Sequence, residues 1–204
     1  MSPFGVGSAA LEDMPSSSYE TRKYKWVVGD ALAEMCEIAE EGKKIDLVIA
    51  DPPYGKFPLI NLAIASAREL CSGPSFFFMY GEDLVELDSK PDQILFWVKT
   101  ASTKNTKKRY SRFVETIAAY DLENSPFCQD THWTTRSGTF IDQLTYRTHE
   151  FQKPVSLMEK LLAVNSYKGQ TVLDPFAGSG SVKKACENMD RYSISIEIDG
   201  KLAQ

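Results

Sequence analysis

Three short stretches of this chain put carboxylates and glycines where chemistry could be done. Asp51-Pro52-Pro53-Tyr54 directly follows the apolar run Leu47-Val48-Ile49-Ala50. Asp174-Pro175-Phe176-Ala177-Gly178-Ser179-Gly180 directly follows Val172-Leu173, and Glu197 ends the run Ser193-Ile194-Ser195-Ile196. A glycine-rich turn between strand and helix, with an acid about 20 residues beyond it, is the spacing of nucleoside-binding units. Each stretch alone has a plain explanation: paired prolines end strands, glycines make turns, and an acid after a strand is solvated. Together they point to a site.

The elements that must position these stretches alternate. Strand patterns cover Tyr24–Val28, Ile45–Ala50, Ser75–Tyr80, Ile94–Val98, Phe113–Ala119, Thr171–Leu173 and Tyr192–Ile196. Helical periodicity covers Ala31–Glu40, Leu59–Leu70, Val155–Val164 and Val182–Met189. Residues 121–148 show no clean period, and residues 1–18, rich in Gly, Ala, Ser and Pro, read as a flexible leader. Alternation of this kind predicts an α/β fold with a mostly parallel, doubly wound sheet. In such sheets ligands bind beyond the carboxyl ends of the strands, which is where the three stretches fall.

The chain has 204 residues, 43% of them hydrophobic and 25% charged, enough for one domain with a real core, assigned here to residues 19–204. No apolar run is long enough to span a membrane and no signal segment opens the chain, so a cytoplasmic protein is expected. Four scattered cysteines without a CxxC pair argue against a zinc site and a disulfide framework, and read as reduced, mostly buried thiols. His132 and His149 make no cluster with neighbouring carboxylates, so no metal is assigned. The net charge of −5 hides an asymmetry. Between Gln93 and Val114 there is no acid, but Lys99, Lys104, Lys107, Lys108, Arg109 and Arg112 all occur. A basic stripe on an acidic body is the footprint expected of contact with a phosphate backbone.

The order D-P-P-Y first and D-P-F-A-G-S-G last resembles the amino DNA methyltransferases in the permuted arrangement called the beta class. The resemblance runs from about Trp26 to the C-terminus. It takes in Gly29-Asp30-Ala31, Phe96-Trp97-Val98-Lys99 and His149-Glu150-Phe151-Gln152-Lys153-Pro154. It implies a Rossmann-like fold, S-adenosylmethionine as cofactor, duplex DNA as substrate with the target base flipped, and a restriction–modification setting. Asp51, Pro52, Pro53 and Tyr54 are then the catalytic loop. Asp30, Lys153, Asp174, Phe176, Gly178, Gly180 and Glu197 are the cofactor residues. Asp30 is expected at the adenine edge, Glu197 at the ribose, and Lys153 near the methionine end.

Chemistry supports that division of labour. An exocyclic amine is a poor nucleophile because its lone pair is delocalised into the ring. If the Asp51 carboxylate and Pro52 carbonyl each accept one amino hydrogen, the nitrogen is pushed towards tetrahedral geometry and its lone pair is freed. Tyr54 offers a face for an extruded base. Residues 99–148 are left to meet DNA. There Lys104, Lys107, Lys108, Arg109 and Arg112 would hold phosphates, and Gln129, Thr134, Thr135, Arg136 and Gln143 would face base edges.

Aspartate at position 51 favours adenine N6 over cytosine N4, which more often goes with serine there. A non-catalytic subunit supporting an active partner is the reading from another class, and intact loops at both sites argue against it. The short recognition region is compatible with a homodimer or a partner subunit.

Overall fold

A computed structural model describes residues 23–99, 113–126, 138–142 and 152–202. Eight strands form one sheet: β1 (Tyr24–Val28), β2 (Leu47–Ala50), β3 (Ser75–Met79), β4 (Gln93–Lys99), β5 (Val114–Tyr120), β6 (Thr139–Asp142), β7 (Thr171–Asp174) and β8 (Tyr192–Glu197). Their spatial order is β1-β8-β7-β2-β3-β5-β4-β6. Every pairing is parallel except those of β5, which runs antiparallel to both β3 and β4. The expected α/β fold with a mostly parallel sheet is what the chain forms.

Among the described residues four helices cover the sheet: α1 (Ala31–Glu40), α2 (Phe57–Leu70), α3 (Val155–Asn165) and α4 (Ser181–Asn188). Side chains alternate across a strand, and β2 is buried on both faces, so it splits between two cores. Val48 and Ala50 join Met35, Ile60 and Ile64 under α1 and α2. Leu47 and Ile49 join Leu157, Leu161, Val182 and Ala185 under α3 and α4. The central strands meet the interior with Val, Ile, Leu and Phe because no face of them reaches water.

Three expectations are corrected. The stretch 121–148 is not without regular structure, because β6 adds to the edge beside β4, its four residues Thr-Phe-Ile-Asp being too few to register as a period. Helix α2 starts at Phe57, two residues early, because Pro58 fits the first turn, where its missing N–H costs no intrahelical bond. Among the described cysteines only Cys186 is buried, while Cys71 is half-buried and Cys36 exposed. Among the described residues no helix is long and apolar enough to cross a membrane. The leader at 1–18 lies outside the described residues.

Candidate active site

Strands β2 and β7 run side by side in parallel, with Leu47 opposite Val172 and Val48 opposite Leu173. Their carboxyl ends therefore deliver Asp51 and Asp174 to the same edge of the sheet, although the two loops are far apart in the chain. Strand β8 lies next, delivering Glu197, and β1 follows with Gly29 and Asp30. A cleft of about 450 Å³ opens over these ends. Asp30, Asp51, Pro53, Lys153, Asp174, Phe176, Gly178 and Glu197 all line it. Pro52, Tyr54 and Gly180 of the expected site are not part of its lining.

The glycine loop is held by the acid expected to serve the ribose. Glu197 Oε2 accepts from the Gly178 N–H at 2.7 Å, and Oε1 accepts from the Asp199 N–H at 2.9 Å. Gly178 and Gly180 take φ of 51° and 78°, a region that side chains disfavour. A Cβ at Gly180 would press on the Trp26 ring at 3.3 Å, whereas one at Gly178 would meet no atom within 4 Å. Asp30 caps α1, its Oδ1 accepting from the N–H groups of Leu32 and Ala33 at 3.1 Å each.

Asp174 is buried, with Oδ1 accepting from the Phe176 N–H at 3.1 Å. Burial pushes its carboxyl up to about 8, against this hydrogen bond. Because the folded value lies above the unfolded one, its contribution to stability is complete near pH 4 and is lost as pH rises through about 8. We expect urea melts of the ligand-free protein to show a loss of a few kcal/mol over that window. Asp174→Asn should flatten this profile; a wild-type stability that rises from pH 5 to 8 would contradict it.

Around Asp51 the structure shows more than the sequence did. Lys153, which precedes α3, donates to Asp51 Oδ2 at 2.6 Å and to the Tyr54 hydroxyl at 3.2 Å. Its Nζ also lies 3.3 Å from Glu115 Oε2 on β5. The Tyr54 hydroxyl donates to the same Glu115 oxygen at 2.8 Å, and Glu115 Oε1 pairs with Lys99 of β4. Asp51 Oδ1 is withheld from solvent and has no hydrogen-bond partner among the described residues. Burial raises the Asp51 carboxyl above its ordinary value and the Lys153 ammonium opposes the rise. For Glu115, burial works against the charge, but Lys153 and Lys99 outweigh it and hold the group below the usual carboxylate range. Burial, with both carboxylates nearby, keeps the Tyr54 phenol well above its ordinary value, so it donates.

Several expectations change here. Lys153 reaches the cleft, but its ammonium is buried on Asp51. Tyr54 is no free platform: its ring meets Tyr80 edge to face at 4.4 Å and its hydroxyl is tied down. Lys99 belongs to Glu115 and not to the basic stripe. Lys104, Lys107, Lys108, Arg109 and Arg112 lie outside the described residues, as do Gln129, Thr134, Thr135, Arg136 and Gln143. Among the described residues no three His, Cys, Asp or Glu side chains gather as a metal site. Glu115 was missed. Its signal is an acid inside the otherwise uncharged buried strand Val114–Tyr120, which demands a cation.

Known proteins share the family and the fold of this chain. Residues 97–204 match the N6/N4 family described as DNA methylase. DNA adenine methyltransferase YhdJ of Escherichia coli is 26% identical over 85% of this chain and 78% of its own length. Type II methyltransferase M.HpaI of Haemophilus parainfluenzae is 40% identical over 53 residues, which span only 17% of its own length. Among solved structures, the M1.HpyAVI–SAM complex has a TM-score of 0.73 at 25% identity, covering 88% of this chain and 96% of that one. The cytosine-N4-specific PvuII DNA methyltransferase shares the fold, with a TM-score of 0.69 at 14% identity over 87% of this chain and 84% of that one. With the family match extending over more than half of its length, this chain belongs to the N6/N4 DNA methylases.

Proposed function

We propose that the protein transfers a methyl group from S-adenosylmethionine to N6 of adenine in duplex DNA. The observation that carries the reading is Asp51 Oδ1: a shielded carboxylate oxygen of a cleft-lining residue, without a hydrogen-bond partner among the described residues, beside a glycine loop built for a nucleoside ligand. The cleft residues fit the cofactor. Gly178 borders open space, and each Glu197 oxygen, with one backbone N–H bound, keeps a lone pair for a ribose hydroxyl. Asp174 is a buried acid with a single backbone donor, and a cationic ligand would favour its ionised form. When bound, S-adenosylmethionine supplies an electrophilic methyl on a sulfonium.

The chain's own residues do the rest. Asp51 Oδ1 and the Pro52 carbonyl accept the two amino hydrogens and turn the nitrogen lone pair outwards. Lys153 grips Asp51 through Oδ2, so the free oxygen is already oriented, and such preorganisation is the main source of rate in charge-stabilising sites. Lys104, Lys107, Lys108, Arg109 and Arg112 hold phosphates and set the register on the duplex. The aspartate at position 51 and an adenine-named relative support N6 over N4, and type II relatives support a restriction–modification setting.

Nucleoside mass spectrometry on unmethylated genomic DNA treated with protein and S-adenosylmethionine tests the reading. N6-methyladenine is the expected product. N4-methylcytosine alone, or methylated RNA beside untouched DNA, overturns it.

A further inference from the structure

The Lys153 ammonium has three hydrogens and three acceptors around it: Asp51 Oδ2 at 2.6 Å, the Tyr54 hydroxyl at 3.2 Å and Glu115 Oε2 at 3.3 Å. Two of these acceptors come from the catalytic loop itself. The third comes from β5, a strand in the middle of the sheet that contributes nothing to the cleft lining. Glu115 also receives the Tyr54 hydroxyl at 2.8 Å, which closes a ring of contacts back onto the loop. Its other oxygen is anchored by Lys99. Strand β5 pairs with β3 through Thr116 opposite Met79, and the Thr116 hydroxyl donates to the Met79 carbonyl at 2.9 Å, so the backbone beneath Glu115 is fixed.

We infer that Glu115 is a positioning residue for methyl transfer: it holds the Lys153 ammonium and the Tyr54 hydroxyl so that Asp51 is gripped by one oxygen and keeps the other for the target amine. The inference rests on the methyltransferase reading above. A carboxylate is needed here because Lys153 alone would neutralise Asp51 and weaken it as an acceptor. With Glu115 drawing on the same ammonium, Asp51 stays anchored yet keeps much of its charge. Asp51, Glu115, Lys153 and Lys99 together are electrically balanced, as a buried cluster must be. The groups facing Asp51 are Lys153 ahead of α3, Tyr54 on its own loop, Glu115 on β5 with Lys99 of β4 behind it, and Asp174 on β7. Asp30 and Glu197 stand across the same cleft.

Glu115→Gln keeps the shape and removes the charge. At saturating unmethylated genomic DNA and S-adenosylmethionine, its single-turnover rate should fall about 10- to 100-fold, a transition-state effect of the size of one lost electrostatic group. Cofactor affinity by calorimetry should stay within a few-fold. The acid limb of the rate should move to lower pH, because the loss of a neighbouring negative charge makes Asp51 easier to ionise. Glu115→Asp should return the limb towards wild type. Lys99→Met frees Glu115 to pull harder on Lys153, so its limb should move the other way, and it serves if Glu115→Gln does not fold. Nitrogen-15 NMR of lysine-labelled, ligand-free protein should show a slowly exchanging Lys153 ammonium that Glu115→Gln broadens.

Limbs that stay in place in both variants, or activity that simply tracks folded fraction, overturn the inference. A wild type that methylates nothing is a different failure: it removes the methyltransferase reading, and this role for Glu115 with it.

Discussion

Asp51→Ala should abolish methyl transfer while leaving affinity for S-adenosylmethionine within a few-fold. The fold tolerates the loss because Lys153 keeps two of its three acceptors, Glu115 and the Tyr54 hydroxyl, so no buried ammonium is stranded. The cleft keeps Asp30, Gly178 and Glu197, whose hydrogen bonds are made to groups other than Asp51. Asp51→Asn is the sharper variant, since it retains one acceptor oxygen but loses the charge. Its barrier should rise by about 2–4 kcal/mol, the range of other preorganised electrostatic groups. The competing idea is that Asp51 merely ends β2. In that case both variants would lose stability, cofactor binding and activity in parallel. Thermal melts with and without S-adenosylmethionine, run beside single-turnover methylation, separate the two.

The second large effect lies at Lys153 and concerns stability. Lys153→Met leaves Asp51 without its cation and deprives Glu115 of one of two. Breaking a buried pair from one side costs about 3–5 kcal/mol, mostly because a charge is left unpaired. The sign of the pH dependence follows. In the variant Asp51 is pushed still higher, so its penalty is full at neutral pH and fades as the group protonates on acidification. Urea melts should therefore show the gap between variant and wild type narrowing from pH 8 towards pH 4. A gap that is constant with pH would mean that the lysine contributes only through the Tyr54 and Phe78 rings, each 5.3 Å from its Nζ.

What could be read from the chain before its structure was the part governed by period and by strand ends. Strand β1 and helix α1 match the reading in their bounds, although the apolar face read as Leu32, Met35, Cys36 and Ala39 is in fact Ala31, Met35 and Ile38, with Cys36 and Ala39 exposed. The cleft was legible too, since a parallel sheet must bring the loops after β2, β7 and β8 to one edge. Glu115 left a signal that was missed, but its partners and the true seat of Lys153 were not legible. Their meeting is set by the register of β5 against β3, a contact between distant parts of the chain that no local pattern encodes. Strand β6 escaped for a different reason, its pairing with β4 being supplied by the neighbouring strand and not by its own propensity.

Strand β8 comes last of the eight in the chain, yet it sits inside the sheet between β1 and β7. Beneath the cleft, Asp46 and Thr171 exchange hydrogen bonds across 125 residues of sequence. A ribosome building this chain makes β1 early, and makes β8, the strand that joins β1 to β7 and its glycine loop, only after β7. Until then β1 has no parallel neighbour among the described strands, and β7 presents an open edge of Val and Leu. Until β8 is in place the cleft lacks Glu197 and the β7 edge is exposed to mispairing.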